Sequence, residues 1–551
     1  MAPSPSFAEE LLVVIAAALA AHLVFNRWEP TNIAVVAALL LGVPCAAASL
    51  LFSGRGFVPR LALTAALYYA CLGTSVVLYR LSPWHPLARY PGPWLLKTSK
   101  LWMVRRVKRG GQWRYIRELH QRFGDVVRIG PNELSFCDAA MVVPVLGTQG
   151  LPKGPDWMGR AMHPKTPSLI ALRDPLEHQR RRRTWNRAFK PAALQEYLPL
   201  IQKRTAQLLD ALSKCEEQDV VDLGRWIRFC KYDFMGDLVF GGGTEMMRDG
   251  DQDGLLKLQR AGIAMMVVYA HMPWLAQFTK HIPRVAAKLK ELRAAARSRA
   301  AARYKAGANR KDLFYYLSNE DGGEKEQPTE DVILSDALLA IIAGSDTTST
   351  ILTSAVYCLL THPDVHKRLV EEVDKFYPPG ADWCNTEHHA DMHYLNAVLN
   401  ETLRLFPVLR DGSLRAPWVG HGDRALGPYF IPEGTQVRVH TYSLQRDPRC
   451  FSQPDTFWPE RWLVAGGLQH AEPGFVHEPG AFLPFSRGPS DCVGKGLALQ
   501  DMRIVLCALL QHLELAPPRN RPFDEWKAEV DRRFADSSAV LPVSVRVRRR
   551  V

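Results

Sequence analysis

No two of the ten cysteines stand in a CxxC pair and their spacing forms no regular framework, which argues against a disulfide-stapled secreted domain and fits a reducing compartment. The chain has no internal repeat, and it lacks any flavin- or nicotinamide-binding fingerprint, so it carries no dinucleotide site of its own. Its composition is neither disordered nor collagen-like: 551 residues, 47% of them hydrophobic, supply a core for one large or two ordinary domains. Acidic residues are fewer than basic ones. The resulting formal charge of +13 points to an anionic partner, which could be nucleic acid, a lipid surface or an acidic protein.

Three apolar runs crowd the first eighty residues, Leu11 to Phe25, Ile33 to Phe52 and Leu61 to Tyr79. The second and third are long enough to span a bilayer, whereas the first is marginal at fifteen residues including His22. Glu9 and Glu10 stand where a signal peptide would carry basic residues, so the run reads as part of an anchor. After the third run come Arg80, Arg89, Lys97, Lys100, Arg105, Arg106, Lys108 and Arg109, which by the positive-inside rule place the rest of the chain in the cytosol. The sequence therefore predicts a membrane anchor of two or three helices over residues 1–88 and a catalytic domain over 89–551.

Tyr90-Pro91-Gly92-Pro93 is a stiff turn opening the globular part. A helical stretch around Trp113 to Phe123 leads into a hairpin, Val126 to Ile129 and Leu134 to Phe136. Leu194 to about Lys305 reads as mostly helical, with turns at Gly241 to Gly243 and at Asp249-Gly250, and Asn319 to Pro328 as a loop. A helix is predicted from about Thr329 to Thr361, apolar almost all round in its first half and so running through a core. Its middle, Ala343-Gly344-Ser345-Asp346-Thr347-Thr348-Ser349-Thr350, is a run of poor helix formers. Such side chains compete with the backbone ladder, and a local opening there would admit water or O₂.

The densest chemistry lies in Phe485-Ser486-Arg487-Gly488-Pro489-Ser490-Asp491-Cys492-Val493-Gly494, which places a thiol in a glycine-bounded turn at the start of an apolar helix. Backbone N–H groups and the helix dipole favour ionised sulfur there, and Gly488 and Gly494 leave room for a flat ligand. Taken alone, a single cysteine is more often a buried free thiol. Glu401 and Arg404 are at i and i+3 on one predicted helix face and can pair. His178-Gln179-Arg180-Arg181-Arg182-Arg183 could be a nucleic-acid patch, a helix for an acidic partner, or a solvated face. Asn400-Glu401-Thr402 matches a glycosylation acceptor but lies in a packed helix.

The spacing of Phe485, Gly488, Cys492 and Gly494 resembles the haem-binding loop of the cytochrome P450 family, with one departure: Ser490 stands where that family usually has a basic residue. The resemblance implies a mainly α fold with small β-sheets, preceded by transmembrane helices, and haem b ligated by the Cys492 thiolate, a ligand that favours O–O cleavage. It assigns Asp346 and Thr347 as the acid and alcohol that deliver protons to iron-bound dioxygen. His178, Arg182 and Arg415 become propionate ligands beside Phe485, Gly488 and Gly494. Pro454-Asp455-Thr456-Phe457-Trp458-Pro459-Glu460-Arg461-Trp462 resembles the family's second structural motif, whose arginine, here Arg461, completes a network with Glu401 and Arg404 behind the haem loop.

The implied function is a monooxygenase on the endoplasmic reticulum membrane, facing the cytosol and inserting one oxygen atom of O₂ into an apolar small molecule. Its implied partners are NADPH-cytochrome P450 reductase, membrane lipid and that substrate, and no nucleic acid. The wording of the motifs is similar to fungal members serving secondary metabolism, and that likeness alone suggests a terpenoid-like substrate. The alternatives are a haem-thiolate isomerase or dehydratase working without O₂, against which the Asp346-Thr347 pair argues, and a non-catalytic haem sensor or carrier. Substrate contacts are expected near Asp156 to Leu169, Met265 to Trp274, Val408 to Leu414 and Ser537 to Leu541.

Overall fold

The three apolar runs fold as α1 (Phe7–Trp28), α2 (Ile33–Leu50) and α3 (Phe57–Leu81), each long and apolar enough to cross a membrane. The computed structural model describes residues 6–30, 32–52, 56–160, 166–216, 218, 220–252, 254–279, 281–307, 310–378, 380–418, 420, 422–518, 525–532 and 539–548. The first helix outruns its apolar run because a capping box starts it early. Ser6 Oγ accepts the Glu9 N–H, and the Ser6 N–H donates to Glu9 Oε2 at 2.7 Å. At 22 residues it is about 33 Å long, so its predicted marginal length is corrected upward. Within α2 a π-helical turn spans Ala38–Gly42, and Tyr68 and Tyr69 of α3 donate their hydroxyls to the carbonyls of Leu39 and Leu40. His22 of α1 shares a 2.6 Å hydrogen bond with Ser75 of α3, which pairs these two polar groups between the helices.

Gly92, in the turn after the anchor, lies so close to the hairpin that a Cβ would sit 2.3 Å from the Arg128 carbonyl oxygen. After α4 (Gln112–Phe123), strand β1 (Val126–Gly130) pairs antiparallel with β2 (Glu133–Phe136) as the turn chemistry predicted. Only the fold reveals that β2 also pairs in parallel with β6 (Gln436–Val439). The remaining strands are β3 (Val221–Asp222), β4 (Arg424–Leu426), β5 (Tyr429–Ile431), β7 (Leu513–Ala516) and β8 (Pro542–Val547). They form the sheets β3-β8-β7 and β4-β5, so the β content is small and the chain mainly helical.

The helices that position the site are α5 (Pro175–Ala188), α6 (Pro191–Ser213), α7 (Leu223–Phe240), α8 (Leu255–His271), α9 (Pro283–Ala306), α10 (Glu330–Thr361), α11 (His393–Leu405), α12 (Glu460–Ala465) and α13 (Lys495–His512). The main core gathers α6, α7, α10, α11 and α13 around residues such as Leu238, Leu352, Val398 and Leu506, all without exposed surface. Helix α10 is apolar enough to cross a membrane, yet more than half of its apolar window is buried by protein, so it is a core helix.

The expected opening in the middle of α10 is corrected by the structure, because the helix runs unbroken from Glu330 to Thr361. Its hydroxyls bond back one turn instead: Ser345 to Ile341 O, Thr347 to Ala343 O at 2.6 Å, Thr350 to Asp346 O at 2.7 Å and Thr353 to Ser349 O at 2.7 Å. Back-bonding satisfies these side chains without breaking the ladder. Gly344 is explained by the crossing of α7, since a Cβ there would lie 2.5 Å from Met235 Sδ.

Candidate haem-thiolate site

Cys492 sits in the turn before α13, closed by its N–H donating to the Phe485 carbonyl at 2.9 Å. Its side chain is exposed to a cleft although the surrounding helices are core. Burial pushes the thiol above its ordinary value, against the Gly494 N–H and the charges of Arg182 and Lys495, which favour the thiolate. A bound metal ion would act against that burial and favour the thiolate further.

The two glycines of the loop have different reasons to be glycine. Gly488 has φ of +81°, and a Cβ on it would lie 2.0 Å from the Leu146 carbonyl oxygen, so it is required by packing and not by a ligand. At Gly494 a Cβ would meet only the Phe189 ring at 3.7 Å and Cys492 Sγ at 4.0 Å, ordinary contacts, so packing among the described residues does not require glycine there.

Beside this loop the fold gathers positive charge. Asp174 caps α5 through the N–H groups of Leu176 and Glu177, which sets His178 and Arg182 one turn apart. Arg415 bridges in β fashion to both Val437 and Lys153, which brings Lys153 into the same group. Burial, then the charges of Lys153, Arg182, Arg415 and Arg181, push His178 down to about 3, so it is neutral in a strongly electropositive pocket. Arg415 is buried and pushed down to about 10 by that burial, and its Nε has no hydrogen-bond partner among the described residues. Arg182 clamps the cysteine loop: Nη1 donates to the Asp491 carbonyl and Nη2 to Asp491 Oδ1, each at 2.8 Å, while Nε donates to Asn186. Arg181 turns away to Asp336 of α10 at 2.6 Å, and Arg180 pairs with Glu177. Ser490 is half-buried and Arg487 exposed, with no ion pair for Arg487 among the described residues.

On α10 the exposed Ala343 and half-buried Thr347, one turn apart, mark where the cleft reaches a helix otherwise in the core. Asp346 accepts a hydrogen bond from the side-chain amide of Gln259 on α8. Behind the loop, Glu401 receives Arg404 Nε and Nη2 at 2.9 and 2.8 Å and Arg461 Nε at 3.1 Å, and it also accepts the Trp458 N–H and the Trp462 indole N–H. All three charged residues are fully buried. Burial alone raises the Glu401 carboxyl, but the Arg404 hydrogen bonds and the charges of Arg404 and Arg461 carry it below its ordinary value. Arg404 also donates to the Gln445 carbonyl at 2.7 Å, and Gln445 Oε1 accepts the Leu483 N–H at 2.8 Å, which ties this network to the segment leading into Phe485.

Sequence reasoning missed Lys153, Gln259, Gln445 and Asp491. Asp491 alone carried a local signal, since a carboxylate beside a candidate thiolate is unfavourable unless a cation claims it. Of the segments expected to touch substrate, residues 161–165 and 537–538 lie outside the described residues.

A cleft-facing thiol at a helix start, an unpartnered buried guanidinium nitrogen and clustered cations able to take two carboxylates together fit haem, and they define the chain as a haem-thiolate protein. It belongs to the cytochrome P450 family: residues 89–530 match the family model described as Cytochrome P450, and the chain is a monooxygenase of that family. It is 32% identical over 443 residues to cytochrome P450 monooxygenase FCK2 of Fusarium pseudograminearum, covering 79% of this chain and 77% of that one. It is 31% identical to cytochrome P450 monooxygenase phqL of Penicillium fellutanum, covering 95% and 92% respectively. It is also 31% identical to tryprostatin B 6-hydroxylase of Aspergillus fumigatus, covering 88% and 85%.

Proposed function

We propose that the chain hydroxylates an apolar small molecule of fungal secondary metabolism, taking electrons from NADPH through a separate reductase. The observation that carries this reading is the Cys492 turn clamped to α5 by Arg182 beside the cation cluster. Haem bound there would be held by Cys492 through its iron and by His178, Arg182 and Arg415 through its carboxylates, and it would supply O₂ binding and O–O cleavage. Gly494 adds no bulk beside the thiol, Phe485 would pack against the bound group as the family resemblance implies, and the network of Glu401, Arg404 and Arg461 holds the loop from behind through Gln445. Thr347 donates its hydroxyl to the Ala343 carbonyl and Asp346 accepts from Gln259, and with haem bound these two side chains would supply the alcohol and acid of proton delivery.

The names of the tryprostatin B 6-hydroxylases and related fungal monooxygenases support hydroxylation in secondary metabolism for this chain. The terpenoid-like skeleton rests on the resemblance of motifs alone. Residues 1–88 serve as the anchor in the endoplasmic reticulum membrane and 89–551 as the cytosolic catalytic domain, a reading supported by the three apolar helices and by the basic segment after them.

The test is Cys492→Ala, purified with haem and reduced under carbon monoxide. The parent should show the red-shifted band of thiolate ligation and consume NADPH with reductase and substrate, and the variant should do neither. A variant that keeps the band overturns the assignment of Cys492, and a parent with the band that never consumes NADPH in the presence of reductase and a panel of apolar metabolites overturns the monooxygenase reading.

A further inference from the structure

Helix α8 carries a polar residue on the face where its pattern calls for apolar ones. Its buried side chains are Leu256, Gln259, Val267, Ala270 and His271, which at helical spacing line one face. A buried amide there costs free energy unless it is hydrogen-bonded, and a leucine would pack without that requirement. Gln259 meets it across the helix crossing, donating from Nε2 to Asp346 Oδ2 of α10. An ionised carboxylate only accepts, so the amide nitrogen and not its oxygen faces Asp346. The other ionisable groups at this junction are Tyr232 and Arg228 of α7, Asp251 ahead of α8 and the exposed Arg260 of α8. Asp251 is engaged with the start of α8, accepting the Leu256 N–H at 3.2 Å. Burial, then the Asp346 charge, push the Tyr232 phenol well above its ordinary value, so it stays neutral beside the carboxylate.

The same helix reaches the other side of the cleft. It packs against Pro155–Arg160, where Trp157 donates its indole N–H to the Leu414 carbonyl at 3.1 Å. Three of the segments expected to touch substrate, those holding Trp157, Leu414 and the end of α8, are thereby joined. Gln259 and His271 stand about 18 Å apart along this one helix, so a shift of its far half is carried to the amide that meets Asp346. We propose that Gln259 is a positioning residue: its amide aims the Asp346 carboxylate for proton delivery, and because α8 carries that amide, the aim depends on how α8 is seated over the cleft. The proposal rests on the reading that Asp346 supplies protons.

The experiment uses the full-length holoprotein with NADPH and reductase and no added substrate. Reduced oxygen then leaves as hydrogen peroxide, the two-electron product, or as water, the four-electron product that needs further protons. Gln259→Leu should keep haem and raise the peroxide-to-water ratio about tenfold, the factor that one charge-assisted hydrogen bond controls. Gln259→Glu separates hydrogen bonding from packing: protonated, it donates to Asp346 as the amide does, and ionised, it repels it. Its ratio should match the parent at acid pH and climb towards that of Gln259→Leu as pH rises. Urea titrations of the same holoproteins read the contact without turnover, because Gln259→Glu should lose stability relative to the parent as pH rises and the facing carboxylates ionise. Equal ratios in the parent and Gln259→Leu, or parallel pH profiles for Gln259→Glu and the parent in either assay, overturn the positioning role. Val267→Ala, which loosens the far half of α8, should raise the ratio in the parent and not in Gln259→Leu. An equal effect in both backgrounds, or none in the parent, overturns the dependence on α8. Asp346→Asn tests the underlying reading separately: an unchanged ratio there removes Asp346 as the acid, whereas a raised one beside an unaffected Gln259→Leu defeats this proposal alone.

Discussion

Replacing Arg182 by Ala removes the clamp between α5 and the cysteine loop, and its effect can be worked from the bonds that disappear. The guanidinium makes two 2.8 Å hydrogen bonds to Asp491, one to the backbone carbonyl and one to the carboxylate, and one of 2.9 Å to Asn186. The Asp491 carboxylate is about half exposed, so the ion pair itself contributes only about 0–1 kcal/mol. The charged donor on the loop carbonyl contributes about 1.5 kcal/mol, and the cation lost from the haem carboxylates about as much again. Together this is roughly 3–4 kcal/mol, or about a hundredfold to a thousandfold in haem affinity. Asp491→Asn, by contrast, keeps the bond to the carbonyl and removes a negative charge from the neighbourhood of the haem carboxylates, so it should hold haem nearly as well as the parent. The assay is haem content per chain after size exclusion, followed by haem titration of the apoprotein. Ser490→Arg in the Arg182→Ala background should recover at least tenfold, because it restores a guanidinium to the loop. Full haem occupancy in Arg182→Ala would refute the reasoning, and loss confined to Arg487→Ala would transfer the role to that exposed arginine.

Glu401→Gln leaves two fully buried guanidinium groups without their carboxylate, and it should cost about 3–5 kcal/mol, read as a fall in the denaturant midpoint of the holoprotein; an unchanged midpoint would show that the network is not structural. Thr347→Ala should leave haem content intact and divert NADPH oxidation to hydrogen peroxide, and undiminished coupling of NADPH to product would remove the hydroxyl from proton delivery. His120, pushed down to about 4 by burial and then by His440, takes up its proton more readily in the unfolded chain, where its value is about 6.5. The share of stability that depends on His120 should therefore be level above about pH 6.5 and fall by about 1.4 kcal/mol per unit down to about pH 4, so His120→Gln should lessen the slope of the acid limb by about that amount; equal slopes in urea titrations of both proteins would refute this.

Local chemistry was legible without the fold. Apolar runs of membrane length, the Asn132-centred hairpin turn, the long apolar helix through Thr361 and the glycine-bounded turn at Cys492 all depend on neighbours within a few residues, so periodicity and turn chemistry reveal them. Even there, two local inferences needed the fold. Gly488 is glycine because of Leu146, far away in the chain, and the hydroxyls of α10 bond back to their own carbonyls without opening the helix. What only tertiary structure decided is which distant groups meet: Arg182 with Asp491, Lys153 with Arg415, Gln259 with Asp346, and Gln445 between Arg404 and Leu483. These pairs are separated by tens to hundreds of residues, so no period or spacing encodes them, and each exists because packing of the core brings two elements together and burial makes an unpaired polar group expensive.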